Sequence, residues 1–219
     1  MNKMNAARRI QTIFNQAKAA VTTMDAKVFA ALSNGKLLEL YVLSEVLTEL
    51  RSRRCPSTFK GSSFVFKAGP GMIKLSDPHF EVQTPSGLLL RLFVDIEFRT
   101  LGSKGLPPDD SCTHELDIIL TPQTTGYPNH SEIWLGVECK STAKFTKALL
   151  KEVLGVRREL GYFGSLHLSL LSLEGAHPPV YVPARNPAAE VWLAYLDPKG
   201  DNYRRSPEAL GIQFRHFNL

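Results

Sequence analysis

An α/β fold with a mixed central sheet flanked by helices is the architecture this chain predicts, on three observations. Patterned segments run in the order helices, strand meander, two strongly apolar strands, helix, strand, an alternation that layers helices over a sheet. The two apolar runs, at residues 114–120 and 133–140, read as buried strands. A helical pattern follows the second run directly, as a crossover to a parallel neighbour requires.

Residues 5–31 open the chain as an amphipathic helix, with Ile10, Ile13, Phe14, Ala17 and Val21 at helical spacing. Lys3, Arg8, Arg9 and Lys18 all precede the first acid, Asp25. That composition suits an ordinary basic helix lying on the domain, and it also suits a transit peptide. A second helix begins at Ser33-Asn34, either of which can cap it, and runs to about Arg54, where Pro56 closes it. Strands are expected at 64–68, 80–84 and 88–99, with turns at Gly69-Pro70-Gly71 and Pro85-Ser86-Gly87. A loop at 102–113 carries Pro107-Pro108-Asp109-Asp110 and is expected to be mobile, and a polar loop at 121–131 joins the two apolar strands.

The helix after them spans 142–163, capped by Ser141 or Thr142. Strands at 166–173, 180–182 and 191–196 follow, then a Pro/Gly-rich tail. A right-handed crossover would set 166–173 parallel to the strand of Glu138. Repeats, low-complexity segments and linkers are absent from the sequence. The expected organisation is one domain, residues 1–219: an N-terminal helical extension (1–33), a core (34–173), and C-terminal strands with a tail (174–219).

A chain of 219 residues can bury a full core. Its apolar share of 43% and charged share of 21% are those of a soluble globular domain. No run of eighteen apolar residues occurs, so no membrane span or membrane partner is expected. The formal charge of +5 is compatible with a polyanionic partner without demanding one. Cys55, Cys112 and Cys139 show no paired spacing. With no secretory leader pattern, they favour free thiols in a reducing, cytoplasmic compartment.

Three charges interrupt the apolar strands: Asp117 in the first, Glu138 and Lys140 in the second. A buried charge is costly without a partner or a metal. The two-residue period sets Glu138 and Lys140 on one face with Cys139 turned away. In the first strand, Glu115, Asp117 and Ile119 are expected to share a face, with Leu116, Ile118 and Leu120 on the other. Asp117 and Glu138 are 21 residues apart, enough for two adjacent strands and a long loop. Pairing can bring the carboxylates together, where they repel unless a hard cation neutralises them. Mg²⁺ suits such a pair, filling its other positions with water and phosphate oxygens. Lys140 would then position water or stabilise charge on the phosphate. The competing account is a structural carboxylate–lysine ion pair at a sheet end.

Asp117, followed by Glu138-Cys139-Lys140 and then a helix, resembles the PD-(D/E)XK nuclease superfamily, the restriction-endonuclease-like phosphodiesterases. The resemblance covers residues 34–173. It implies a restriction-endonuclease-like sandwich that binds Mg²⁺, with Mn²⁺ able to substitute, through Asp117, Glu138 and the backbone carbonyl of Cys139. Lys140 acts on the water in that reading. Leu116 stands where the superfamily's proline would precede the aspartate.

Many members also carry a glutamate on the helix before the core sheet, and Glu39 supplies one. It lies on the apolar stripe of its helix with Leu32, Gly35, Val42, Leu43, Val46 and Leu50. By resemblance it would bind a second metal or its water, and otherwise it snorkels at the stripe's margin. Glu45 and Glu49, off the stripe, are expected in solvent.

Lys144, Lys147, Lys151 and Arg158 form a basic face on the helix after the motif, opposite Phe145, Leu149, Val153, Val156 and Leu160. Such a face can contact nucleic-acid phosphates without reading sequence, or simply be solvated. Ser141 and Thr142 can contact a phosphate or cap the helix. His114 reads as a structural or supporting residue, because no His/Cys cluster has zinc spacing. Asp95 and Glu97 alternate with apolar neighbours and suggest a solvated strand face, remaining outside candidates for further acids.

The expected activity is Mg²⁺-dependent hydrolysis of DNA phosphodiesters by an endonuclease of restriction or defence type. It acts as a homodimer or with a partner protein that supplies specificity. A non-catalytic nucleic-acid-binding or assembly subunit of the same fold, or an effector nuclease active only with a partner, are the other readings.

Overall fold

The computed structural model describes residues 3–17, 32–61, 67, 69–105, 107, 109–142, 144–167, 180–183 and 189–218. Helix α1 (Lys3–Gln16) buries Ala6, Ile10 and Phe14 along one face, followed by Ala17 just beyond its end. The remainder of the expected first helix, with Val21, lies outside the described residues. Helix α2 (Asn34–Ser52) is capped by Ser33, whose hydroxyl accepts the Lys36 N–H at 3.2 Å, satisfying one of the unpaired donors of the first turn.

The two helices pack together through these apolar faces. Arg9 joins them with an ion pair to Glu45 at 2.6 Å, its guanidinium 5.6 Å from the centre of the Tyr41 ring. Glu45 and Glu49 are therefore not simply solvated. Glu49 is half-buried between Arg53 (2.5 Å) and Arg215 (3.1 Å), because carboxylates at a helix–sheet margin require cationic neighbours.

Strand β1 (Ser57–Lys60) precedes β2 (His79–Gln83), β3 (Leu89–Arg99), β4 (Thr113–Thr121) and β5 (Leu135–Lys140). Helix α3 (Lys147–Glu159) is followed by β6 (Phe163–His167), β7 (Val180–Pro183) and β8 (Glu190–Tyr195). A short helix α4 (Arg205–Ala209) leads into β9 (Ile212–His216). Seven strands form a mixed open sheet in the order β1-β2-β3-β4-β5-β8-β9. It is antiparallel from β1 to β5 and parallel from β5 to β9.

Several expectations change here. The strand expected at 64–68 falls mostly outside the described residues, while β1 formed from a run too short to carry a period. Of the strand expected at 166–173 beside β5, residues 168–173 lie outside the described residues, and Leu166 and His167 belong to β6, which pairs with β7 in a separate two-stranded ribbon. The parallel neighbour of β5 is β8. Crossover handedness fixes direction but not which later apolar run fills the place. Residues 197–216 form a 3₁₀ turn, α4 and β9 rather than a tail, and β8 and β9 join the sheet that carries Glu138.

The third helix begins at Lys147, capped by the Thr146 hydroxyl, not at residue 142. Buried Phe145 donates its N–H to Asp197 at 2.7 Å, which holds the preceding chain off the helix. Part of the expected mobile loop is also regular, with a 3₁₀ turn at Leu101–Ser103.

The sheet separates two cores. On one side α1 and α2 cover Leu90, Leu92, Val94, Ile118, Leu120, Leu135, Val137, Trp192 and Ala194. On the other, α3 and the Phe145 segment cover Phe93, Ile96, Phe98, Leu116, Ile119, Val191, Leu193, Ile212 and Phe214. Gly136 lies under that second layer, where an added Cβ would stand 2.8 Å from Leu116 Cδ1 and 3.5 Å from Leu160 Cδ1. Gly136→Ala should lower stability by about 1–2 kcal/mol through overpacking, read as a reduced midpoint in urea with an unchanged m-value.

One irregularity positions the site. Along β3, Leu92 and Val94 face the α2 side, yet Ile96 and Phe98 face the α3 side. Along β4, Ile118 faces α2 while Leu116 faces α3. The register is the same on either side, Val94 opposite Ile118 and Ile96 opposite Leu116, but Asp95 and Asp117 are left out of the ladder, and both strands change phase there. Asp95 has φ +52°, a conformation that aspartate tolerates better than most residues. Leu116 therefore parts from Ile118 and Leu120, contrary to simple alternation.

Candidate active site

The phase change turns both aspartates toward α2. Oxygens of Glu39, Asp95 and Asp117 lie within 4.8 Å of one another. Asp95, expected on a solvated face, is only 3% exposed, because its left-handed backbone swings the carboxylate under the helix. Lys36, one turn before Glu39, places Nζ 2.6 Å from Glu39 Oε2 and 2.8 Å from Asp95 Oδ1. Asp95 Oδ2 is buried with no hydrogen-bond partner among the described residues.

Glu138 and Lys140 occupy the other side of the same sheet end. The β4–β5 ladder stops at Ile118 opposite Val137. Beyond it Asp117 does not lie squarely against Glu138, because its Oδ2 accepts the Cys139 N–H at 2.5 Å. With Leu135, Val137 and Cys139 packed toward α2, Glu138 and Lys140 point toward α3. They share a face, as the alternation predicts, with Lys140 Nζ 3.3 Å from Glu138 Oε2. Exposed Glu152 of α3 stands 3.8 Å from the same ammonium. These groups, with His114, Glu115 and Val153, line a cavity of about 380 Å³.

Asp117 links the halves: it belongs to the cluster under α2, and its charge acts on both Glu138 and Lys140. From the sequence, strand pairing is expected to bring Asp117 beside Glu138, with Glu39 assisting from the helix. The close carboxylate group is instead Glu39, Asp95 and Asp117, with Glu138 behind Asp117.

Burial pushes Glu39 up to about 7, Asp117 and Asp95 adding to the rise and Lys36 opposing it. Glu138 also stands at about 7 through burial and the Asp117 charge, against Lys140. Burial raises Asp117 despite the Cys139 hydrogen bond and the charge of Lys140. Glu115 is raised by burial and by Asp117 and Asp95. Burial alone would lower Lys36 and Lys140, but their carboxylate partners hold both ammoniums above the usual lysine range. The site carries more negative charge than its two lysines neutralise.

Three carboxylate oxygens gathered this closely can hold a metal ion, and all-oxygen donors suit hard cations. The orphaned Asp95 oxygen fits the same interpretation, since a buried carboxylate oxygen without a donor is costly. No protein-family model, curated protein or solved structure matches this chain. Its chemistry must be read from these residues.

The remaining candidates are dispersed. Lys144, Lys147, Lys151 and Arg158 are all exposed on or beside α3. Ser141 is half-buried, its hydroxyl near Gly35 at the start of α2. His114 meets the edge of Phe98 at 6.4 Å between ring centres and is not in the carboxylate group. Cys139 contributes its N–H to Asp117, and burial pushes its thiol well up, so no reactive thiolate is indicated.

Two residues escaped the sequence reading, Lys36 and Asp95 in its buried role. The first carried a signal, lying three positions before Glu39 and so on the same helical face. Asp95 carried none, because its strand neighbour Glu97 shows the same alternation.

Proposed function

We propose that the protein is a metal-dependent nuclease that hydrolyses phosphodiester bonds in DNA, with a restriction-endonuclease-like core and Mg²⁺, replaceable by Mn²⁺, as its cation. The observation carrying this reading is the gathering of Glu39, Asp95 and Asp117 within 4.8 Å, next to the Glu138–Lys140 pair at 3.3 Å. Such a concentration of buried acid gains little in stability and is suited to a cation and a phosphate.

Asp117 and Glu39 would hold the cation with Asp95 completing their side, and the Cys139 carbonyl and Glu138 would be the ligands β5 offers. When bound, the cation supplies neutralisation of phosphate charge and polarisation of its oxygens. Glu138 fixes Lys140, whose Nζ can donate a hydrogen bond to a water or to a phosphate oxygen. The cavity between β5 and α3 gives that water access. The exposed lysines of the α3 face lie on the same side as Lys140 and offer non-sequence-specific contacts to a DNA backbone.

Plasmid and linear DNA, incubated with Mg²⁺, Mn²⁺ or EDTA, test the assignment. Wild type should cut only with metal. Lys140→Ala should cut roughly 10²–10³-fold more slowly while keeping the wild-type circular dichroism spectrum. Absence of cutting with every metal, with both proteins binding DNA equally, would favour a binding subunit or a partner-activated effector.

A further inference from the structure

We propose that Lys36 is an internal counter-ion standing in the cation position of the Glu39–Asp95–Asp117 group, so that metal loading must displace its ammonium. The inference rests on reading this sheet end as a metal-dependent site, but not on cleavage itself.

Lys36 Nζ is 2.6 Å from Glu39 and 2.8 Å from Asp95. It thereby holds two of the three carboxylates that can converge on a metal. Mg²⁺ binds oxygen at about 2.0–2.1 Å, so an ion taking those same two oxygens would lie almost against the ammonium. Like charges at that separation repel strongly in a partly desolvated site. One of them must leave.

The lysine is the group able to go. Its side chain is 34% exposed, whereas those of Asp95 and Glu39 are 4% and 10% exposed. A four-carbon stem at the start of α2 can swing to solvent without disturbing the packed helix. A single ammonium also leaves the cluster incompletely matched. Asp95 Oδ2 has no partner among the described residues, and Asp117 receives a backbone N–H from Cys139. A structural ion pair built for stability would satisfy that buried Asp95 oxygen. A stand-in need only keep the acids from repelling one another until a divalent ion arrives.

Calorimetric titration with Mn²⁺ on wild type, Lys36→Met and Asp95→Asn tests this. Methionine keeps the apolar stem and removes the competitor, so Lys36→Met should tighten the Mn²⁺ dissociation constant about tenfold or more, and Asp95→Asn should weaken it by a similar factor. An unchanged or weaker constant in Lys36→Met overturns the proposal, as does Asp95→Asn binding like wild type. Should Lys36→Met fail to fold, wild type answers through amine acetylation read by mass spectrometry. Lys36 modification should rise severalfold at saturating Mg²⁺, with other lysines as internal controls, and an unchanged yield overturns displacement. Cleavage is not measured in these titrations. Shifted constants without DNA cutting would refute the nuclease and spare this inference, and cutting with unshifted constants would do the reverse.

Discussion

For the proposed nuclease, Asp117→Asn should slow cleavage by about 10³-fold while making the metal-free protein more resistant to heat. Asparagine retains an oxygen for the Cys139 N–H that Asp117 accepts at 2.5 Å. It removes the charge that raises Glu39, Glu138 and Glu115 together. Relief of that repulsion is on the order of 1–2 kcal/mol, or a rise of about 2–8 °C in Tm for a chain of this length. The same change removes the carboxylate shared by both halves of the site, for an expected loss on the order of 10³-fold in turnover. Scanning calorimetry with EDTA, beside the plasmid assay, reads both. A Tm several degrees lower would show that the Asp117 charge is already compensated, and undiminished cutting would remove it from the site.

Stability should fall as pH rises from about 5 to 8 without metal, and added Mg²⁺ should flatten the fall. Glu39 and Glu138 sit at about 7 in the folded protein, above the usual glutamate value near 4.3 of an unfolded chain. Between those values the folded state binds more protons than the unfolded state, so each unit of rising pH costs stability, and the penalty is complete above the folded pKa. The two groups together amount to a few kcal/mol, less than the sum of isolated shifts because both respond to Asp117. The lysines do not reverse the trend, since they are raised above the usual lysine range and stay charged throughout. A cation bound by the ionised carboxylates stabilises the folded state at high pH by mass action. Urea denaturation at successive pH values, with EDTA and with Mg²⁺, would show this as stability curves that separate as pH rises. Parallel curves would mean that the cation does not engage these acids.

The sequence disclosed the layered α/β architecture because its strongest signals are long. The helical stripe of Val42, Leu43, Val46 and Leu50, the 11-residue β3 and the apolar runs of β4 and β5 each repeat a period often enough to be read. The face shared by Glu138 and Lys140, and the inward direction of Glu39, followed from the same periods. Asp95 did not, since a single residue of positive φ reverses the alternation and leaves no trace in residue type. Nor did β8 as partner of β5, for register between distant segments depends on packing that no local pattern encodes. The capping threonine was missed for a related reason: Asp197, 52 residues from Phe145, decides where α3 starts.

The placement of β8 bears on when the charged end of β5 becomes fixed. The strand of Glu138 and Lys140 obtains one neighbour from β4 directly before it, but the other from Glu190–Tyr195. Domains emerging from the ribosome condense N-terminal parts first, and pairings between distant segments form late. During synthesis β5 therefore remains an outer strand, its charged end held from one flank only, until some fifty further residues have been added. Helix α2 and its carboxylate can dock early on the meander. The Glu138–Lys140 end of β5 is therefore fixed on both flanks only after β8 has been added.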